Sequence, residues 1–196
     1  MKAKQGWVTL STLQSRNHSD GVFLLAQEIV KHIHRVNALR DMANQLNIMP
    51  LIHQLQDWQC QRLLVSHDDL AQQKRYQKAM AFFVEELYGP KDFSQRDADL
   101  VRVIPKLAKV LPDKAMNAMD DALSLNALSF DLDMAMAQYM DANYPGEPIH
   151  RDSYAQAYRH IGRAEDRAHQ IAIISHLGDQ LADVIKIRGI GMLISL

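Results

Sequence analysis

The residues best suited to chemistry gather near the C-terminal end, where Glu165, Asp166, His169, His176 and Asp179 follow one another at short intervals. Carboxylates and imidazoles three or four residues apart on a helix converge, which is how helical metal centres are built. Direction decides whether these do. At about 100° per residue, Ile171, Ile174, Leu177, Leu181 and Ile185 define one face, and His169 and His176 point well away from it. The cluster reads as a solvated stripe, and neither a metal nor a cofactor is expected. Glu147-Pro-Ile-His150 has the spelling of a metal motif, but it lies in the Pro- and Gly-broken stretch NYPGEPIH, where helical spacing means nothing.

The same angular arithmetic puts Arg163, Arg167 and Gln170 on the apolar side of that helix, in line with Ile174 and Leu181. Either the first two turns overhang the core and stay wet, or the arginines are buried and need acidic partners, since an unpaired buried charge costs several kcal/mol. Glu85, Glu86 and Asp97 are the expected acceptors, in a structural ion-pair network rather than a catalytic one. His32 is a candidate core histidine on the first long helix, read as a satisfied or seam-edge residue, with a haem or metal ligand and a register-setting or pH-responsive core residue as the alternatives. Nucleophile signatures are missing: the sequence has no G-x-S-x-G, C-x-x-C or P-loop, and Cys60 sits beside Trp58 without a recognisable activating partner. Enzymatic activity is not supported by any motif.

The elements that must carry these residues are helices. Only eight Gly and six Pro occur in 196 residues, and β-branched threonine is nearly absent, so strands and their turns are disfavoured. Residues 1–20 read as a loose arm. From 21 to about 47, two series spaced by seven, Val22-Ile29-Val36-Ala43 and Leu25-His32-Leu39-Leu46, predict one long heptad-patterned helix that could be the spine of a bundle. Further helices are expected from Pro50 to Val65, from Ser66 to a stop at Gly89-Pro90, from Ser94 to a break at Pro105, over 112–124 and 127–141, from a cap at Asp152 to Ile161, and from Arg163 to Ile187. The fold class is all-α: a single bundle of seven or eight helices filling residues 21–196. Two-faced helices, such as the one carrying Phe130, Met134 and Ala137 opposite Leu128, Leu132, Ala135 and Tyr139, are either central or half of an interface.

A net charge of −1 offers no positive field for phosphate backbones, so no nucleic acid is expected. The start, MKAKQGWVTLSTLQSRNHSDG, lacks the apolar stretch of a signal peptide, and one cysteine fits a reducing compartment; the expected location is cytoplasmic, without a membrane span. The apolar tail, Ile187 to Leu196, is expected to dock on the bundle or on a second subunit.

AFFVEELYGP, Ala81 to Pro90, followed by KDFSQRDADL, resembles the bacterial family named for its FFLEELY motif, with Val84 in place of the motif's Leu. The resemblance implies an all-helical cytoplasmic protein without an assigned activity or ligand. Two functions are therefore carried forward. One is a non-enzymatic bundle acting through protein contacts as a homodimer. The other is a small-molecule or haem-binding bundle, with His32 and the Arg163, Arg167, Gln170 group lining its cavity.

Overall fold

A computed structural model describes residues 10–73 and 94–186. The chain is helical throughout these segments: α1 (Leu10–Gln45), α2 (Met49–Ser66), a single turn α3 (Asp68–Ala71), α4 (Ser94–Leu107), α5 (Asp113–Asn143), α6 (Arg151–Ile161) and α7 (Ala164–Lys186). Six of these exceed one turn, so the seven or eight helices expected are not matched among the described residues. The helix expected over Ser66 to Leu87 is described only at α3; Glu85, Glu86 and the tail from Ile187 to Leu196 lie outside the described residues. No helix among the described residues is long and apolar enough to cross a membrane.

Three expectations are corrected. Helix α1 begins at Leu10, within the stretch read as a loose arm. Its Ser and Asn residues resemble stop signals, but without a proline each costs less than about 0.7 kcal/mol in a helix. The segments 112–124 and 127–141 form one helix for the same reason, since Asn126 is too weak a breaker to divide it. That continuous α5, and not α1, is the spine. It is buried on several sides, with Met116, Leu123, Leu128, Phe130, Leu132, Met136 and Met140 all inside.

Distinct clusters radiate from α5. Met116 and Leu123 meet Ala26, Ile29 and Ile33 of α1 and Ile104 of α4. Phe130, Met134 and Ala137 meet Ala43 and Ile52. Met136 and Met140 meet Leu55 of α2 and Tyr154 and Ala157 of α6, while Leu128 and Leu132 receive Ile173 of α7. Each fully buried Ile or Leu contributes about 1.5–3 kcal/mol over an exposed one.

The third correction concerns the rotation of α1. Ile29, Val36 and Ala43 are buried as the heptad predicts, but their companions are Ala26 and Ile33, each one residue later than Leu25 and His32. The next position in that inner row is Arg40. His32 is consequently half-buried at the edge of the seam, its Nε2 3.4 Å from Asp120 Oδ1, which is an ion contact only when the ring is protonated. Burial pushes the Asp120 carboxyl above its usual range, and His32 opposes that rise.

Local chemistry explains where helices stop. After α1, Asn47 adopts φ +57°, Ile48 N–H reaches the Ala43 carbonyl and Asn47 N–H that of Asn44, each at 3.0 Å. This is the paired closure of a left-handed helix end, which Asn tolerates better than most residues. Pro50 then sits in the first turn of α2, where no N–H is needed. Helix α6 is capped by His150 and not by Asp152: Ser153 N–H donates to His150 Nδ1 at 3.0 Å, and His150 N–H donates to Ser153 Oγ at 3.1 Å.

Candidate functional site

The polar residues of α1, α4, α5 and α7 are largely consumed in joining helices. Arg40 donates to Asp97 of α4 at 2.8 Å, and Asp97 is 2% exposed. Asp131 Oδ2 accepts from Arg35 at 2.8 Å and from Arg163 at 3.1 Å, so one carboxylate ties α1 to the start of α7 through α5. Arg163 also reaches Asp166 at 2.5 Å, and these acceptors hold its guanidinium even more firmly protonated. Gln170 donates to Ser129 at 2.7 Å, and His176 Nδ1 lies 2.7 Å from Asp121.

The Arg163, Arg167 and Gln170 group thus faces α5, but the acceptors are not those expected. Asp97 belongs to Arg40, Glu85 and Glu86 are outside the described residues, and Asp131 and Ser129 take their place. The inner row of α7 continues through Ile173, and Ile171 and Ile174, assigned to the apolar core face, are exposed. Polar contacts from Arg167 and Gln170 and the apolar contact of Ile173 with Leu128 and Leu132 all face α5. Among the described residues no three His, Cys, Asp or Glu side chains come together as a metal-binding group.

A different arrangement occupies the end of the bundle where α2 meets α6. The rings of Trp58 and Tyr154 stack with centroids 4.3 Å apart, and Tyr158 continues the row 6.2 Å from Tyr154. These rings follow from spacing: Tyr154 and Tyr158 are four apart on α6, hence on one face, and Ala157 of α6 packs inward beside Leu55 of α2. The guanidinium of Arg62, one turn after Trp58, lies over both rings, 5.4 Å from Trp58 and 4.9 Å from Tyr154. Arg151, Ala155 and Arg159 form the adjacent row of α6. Together these residues line an open cleft of about 750 Å³, with three arginines, three aromatic rings and no carboxylate.

Below the cleft is a buried acid. Asp133 is 6% exposed and accepts from Gln59 at 3.0 Å and Gln56 at 3.3 Å. Burial pushes its carboxyl up to about 6, against the opposing pull of the two glutamines and of Arg167. Arg167 lies under the row, its guanidinium 4.8 Å from the Tyr158 ring and donating to the Met136 sulfur at 3.2 Å. Its Nε is buried without a hydrogen-bond partner. Burial also raises the Tyr154 hydroxyl, an effect that Arg62 and Arg167 oppose.

The arginines therefore divide. Among those whose side chains are described, Arg35, Arg40, Arg102 and Arg163 each pair with a carboxylate. Arg62, Arg151 and Arg159, which have no carboxylate partner among the described residues, line one cleft, and Arg167 underlies it. The arrangement can attract and hold an anion against a flat apolar wall. Among the described residues the tyrosines are the sole hydroxyl-bearing residues lining the cleft, and Asp133 is buried. Sequence reasoning treated Tyr154 and Tyr158 as helix markers and passed over Arg62, Arg151 and Arg159. The available signal was RDSYAQAYR, an aromatic pair flanked by arginines on one helical face, with Trp58 and Arg62 one turn apart on another helix.

All of the cleft residues fall within the segment matched by a family model, which runs over residues 38–196. The model does not bear the name of the FFLEELY motif, so that narrower resemblance is not confirmed. No curated protein and no solved structure matches the chain. With the match extending from the second half of α1 through α7, the chain belongs to the family described as a domain of unknown function, DUF8198.

Proposed function

We propose that this helical domain is a binding module and that the cleft between α2 and α6 holds an anionic ligand. The observation that supports it is the segregation of the arginines: those with structural partners are elsewhere, and those with no carboxylate partner among the described residues meet at one concave aromatic surface. Arg151 stands at the first position of α6, where the positive end of the helix disfavours a cation. A residue placed against local preference is better accounted for by a ligand than by the fold. The ligand-binding role here falls to a site other than His32 and the Arg163, Arg167, Gln170 group. The test is thermal melting at low ionic strength with inorganic pyrophosphate or citrate. The wild-type melting temperature should rise, and the Arg62→Gln, Arg159→Gln double variant should not respond. Equal shifts in both proteins would reject the cleft as the site.

A second reading is self-association, supported by Phe23 and Leu24, adjacent on α1 and each 61% exposed. Light scattering of the wild type and a Phe23→Ser, Leu24→Ser variant checks it: a dimer lost on substitution supports the reading, and a monomeric wild type ends it. Both readings assume a cytoplasmic setting, consistent with the single buried, unbridged Cys60.

A further inference from the structure

We infer that the occupant of the cleft is a phosphorylated small molecule carrying a planar ring, of the class of nucleoside diphosphates. This rests on the anion-binding reading above and adds the ligand's chemistry to it. Charge gives the first half. Arg62, Arg151 and Arg159 have no carboxylate in the cleft, so a monocarboxylate would leave two guanidiniums uncompensated, whereas a diphosphate matches them and suits their forked geometry.

Shape gives the second half. The Arg62 guanidinium carbon is 5.4 Å from the Trp58 ring centroid and 4.9 Å from that of Tyr154, so cation and rings together make one wall against which a flat ring can lie. Tyr158, 40% exposed, supplies a second stacking surface. A cleft of about 750 Å³ is far larger than a lone phosphate and has the size of sites for drug-sized ligands. Arg151 and Arg159 are eight residues apart, about 12 Å along the helix axis, which suits a short ligand. Apart from arginine, the lining among the described residues has no Asn, Gln, Ser, Thr or acidic side chain. The ring is thus held by its faces and not read by its edges, and the lining offers no carboxylate to hold a magnesium ion for hydrolysis.

The test is calorimetric titration of the full chain, at low ionic strength and without magnesium, using adenosine, inorganic pyrophosphate, ADP and GDP as probes. ADP should bind roughly tenfold tighter than pyrophosphate, the worth of one stacked base, with GDP equal to ADP within about threefold and adenosine undetectable. Tyr158→Ala should reduce ADP to the affinity of pyrophosphate without changing pyrophosphate itself; Arg159→Gln should weaken both. ADP binding no tighter than pyrophosphate would overturn the planar-ring assignment while leaving the anion cleft standing. Failure of both anions to bind would bring down the cleft reading as well. An oligothymidylate octamer binding much more tightly than ADP would replace the small molecule with a single-stranded nucleic acid.

Discussion

Arg40 and Arg62 each stand over an aromatic ring, Arg40 5.9 Å from Phe130 and Arg62 4.9 Å from Tyr154, yet they belong to regions built on opposite rules. At the α1–α4 contact the guanidinium of Arg40 is closed in and answered by buried Asp97. At the α2–α6 contact, rings and arginines are brought together with no anion among the described residues to answer them. A charge that the fold neutralises belongs to stability, and a charge left over at a concave surface is available for binding.

The sharpest way to break this comparison is to remove one partner from each region. Arg40→Ala removes a charged partner of buried Asp97 and should cost about 3–5 kcal/mol in denaturant unfolding.

Asp133 gives the next largest effect, with the opposite sign. Its carboxyl is raised from 3.8 to about 6 in the folded protein. The stability it contributes is complete below the unfolded value and is lost as pH rises through the folded one. That loss, over pH 4–6, amounts to about 3 kcal/mol at 1.36 kcal/mol per pKa unit. Asp133→Asn should therefore stabilise the protein by about that amount at pH 7–8 and by nothing near pH 3, when the two unfolding curves are compared across pH. A variant less stable than wild type at pH 8 would show that the ionised form is favoured where it sits.

The turn between α6 and α7 sharpens the contrast through backbone alone. Gly162 has φ +63° and ψ −109°, with nothing within 4 Å of an added Cβ. Gly162→Ala meets no neighbour but must adopt a conformation costing about 1–3 kcal/mol, readable as a fall in unfolding free energy. At the small end, Arg62→Gln and Arg159→Gln should change stability by less than about 0.5 kcal/mol, as exposed side chains do, while abolishing the response to pyrophosphate.

Helix type and three buried residues of α1, Ile29, Val36 and Ala43, were legible in the sequence, because apolar spacing reports one helix at a time. What was not legible was rotation. One residue separates Leu25 and His32 from the buried Ala26 and Ile33, and a seven-residue pattern on a helix of 3.6 residues per turn cannot fix that offset. On α7 Ile173, packed on Leu128 and Leu132, takes the core position expected of Ile174, on the side where Gln170 also meets α5. The cleft escaped for a related reason. Trp58 and Tyr154 are distant in sequence, and neither helix alone says that its arginine will lack a carboxylate.

The single oxygen of Asp131 shared by Arg35 and Arg163 has a consequence for how damage spreads. Two donors aimed at one acceptor are partly redundant: when one is removed, the other can tighten and keep the carboxylate satisfied. The deletions should then be buffered singly and compound together, Arg35→Ala with Arg163→Ala exceeding the sum of the separate losses in a double-mutant cycle. In that arithmetic α1 and α7 stop being independent neighbours of α5, and what one helix loses becomes the load the other carries.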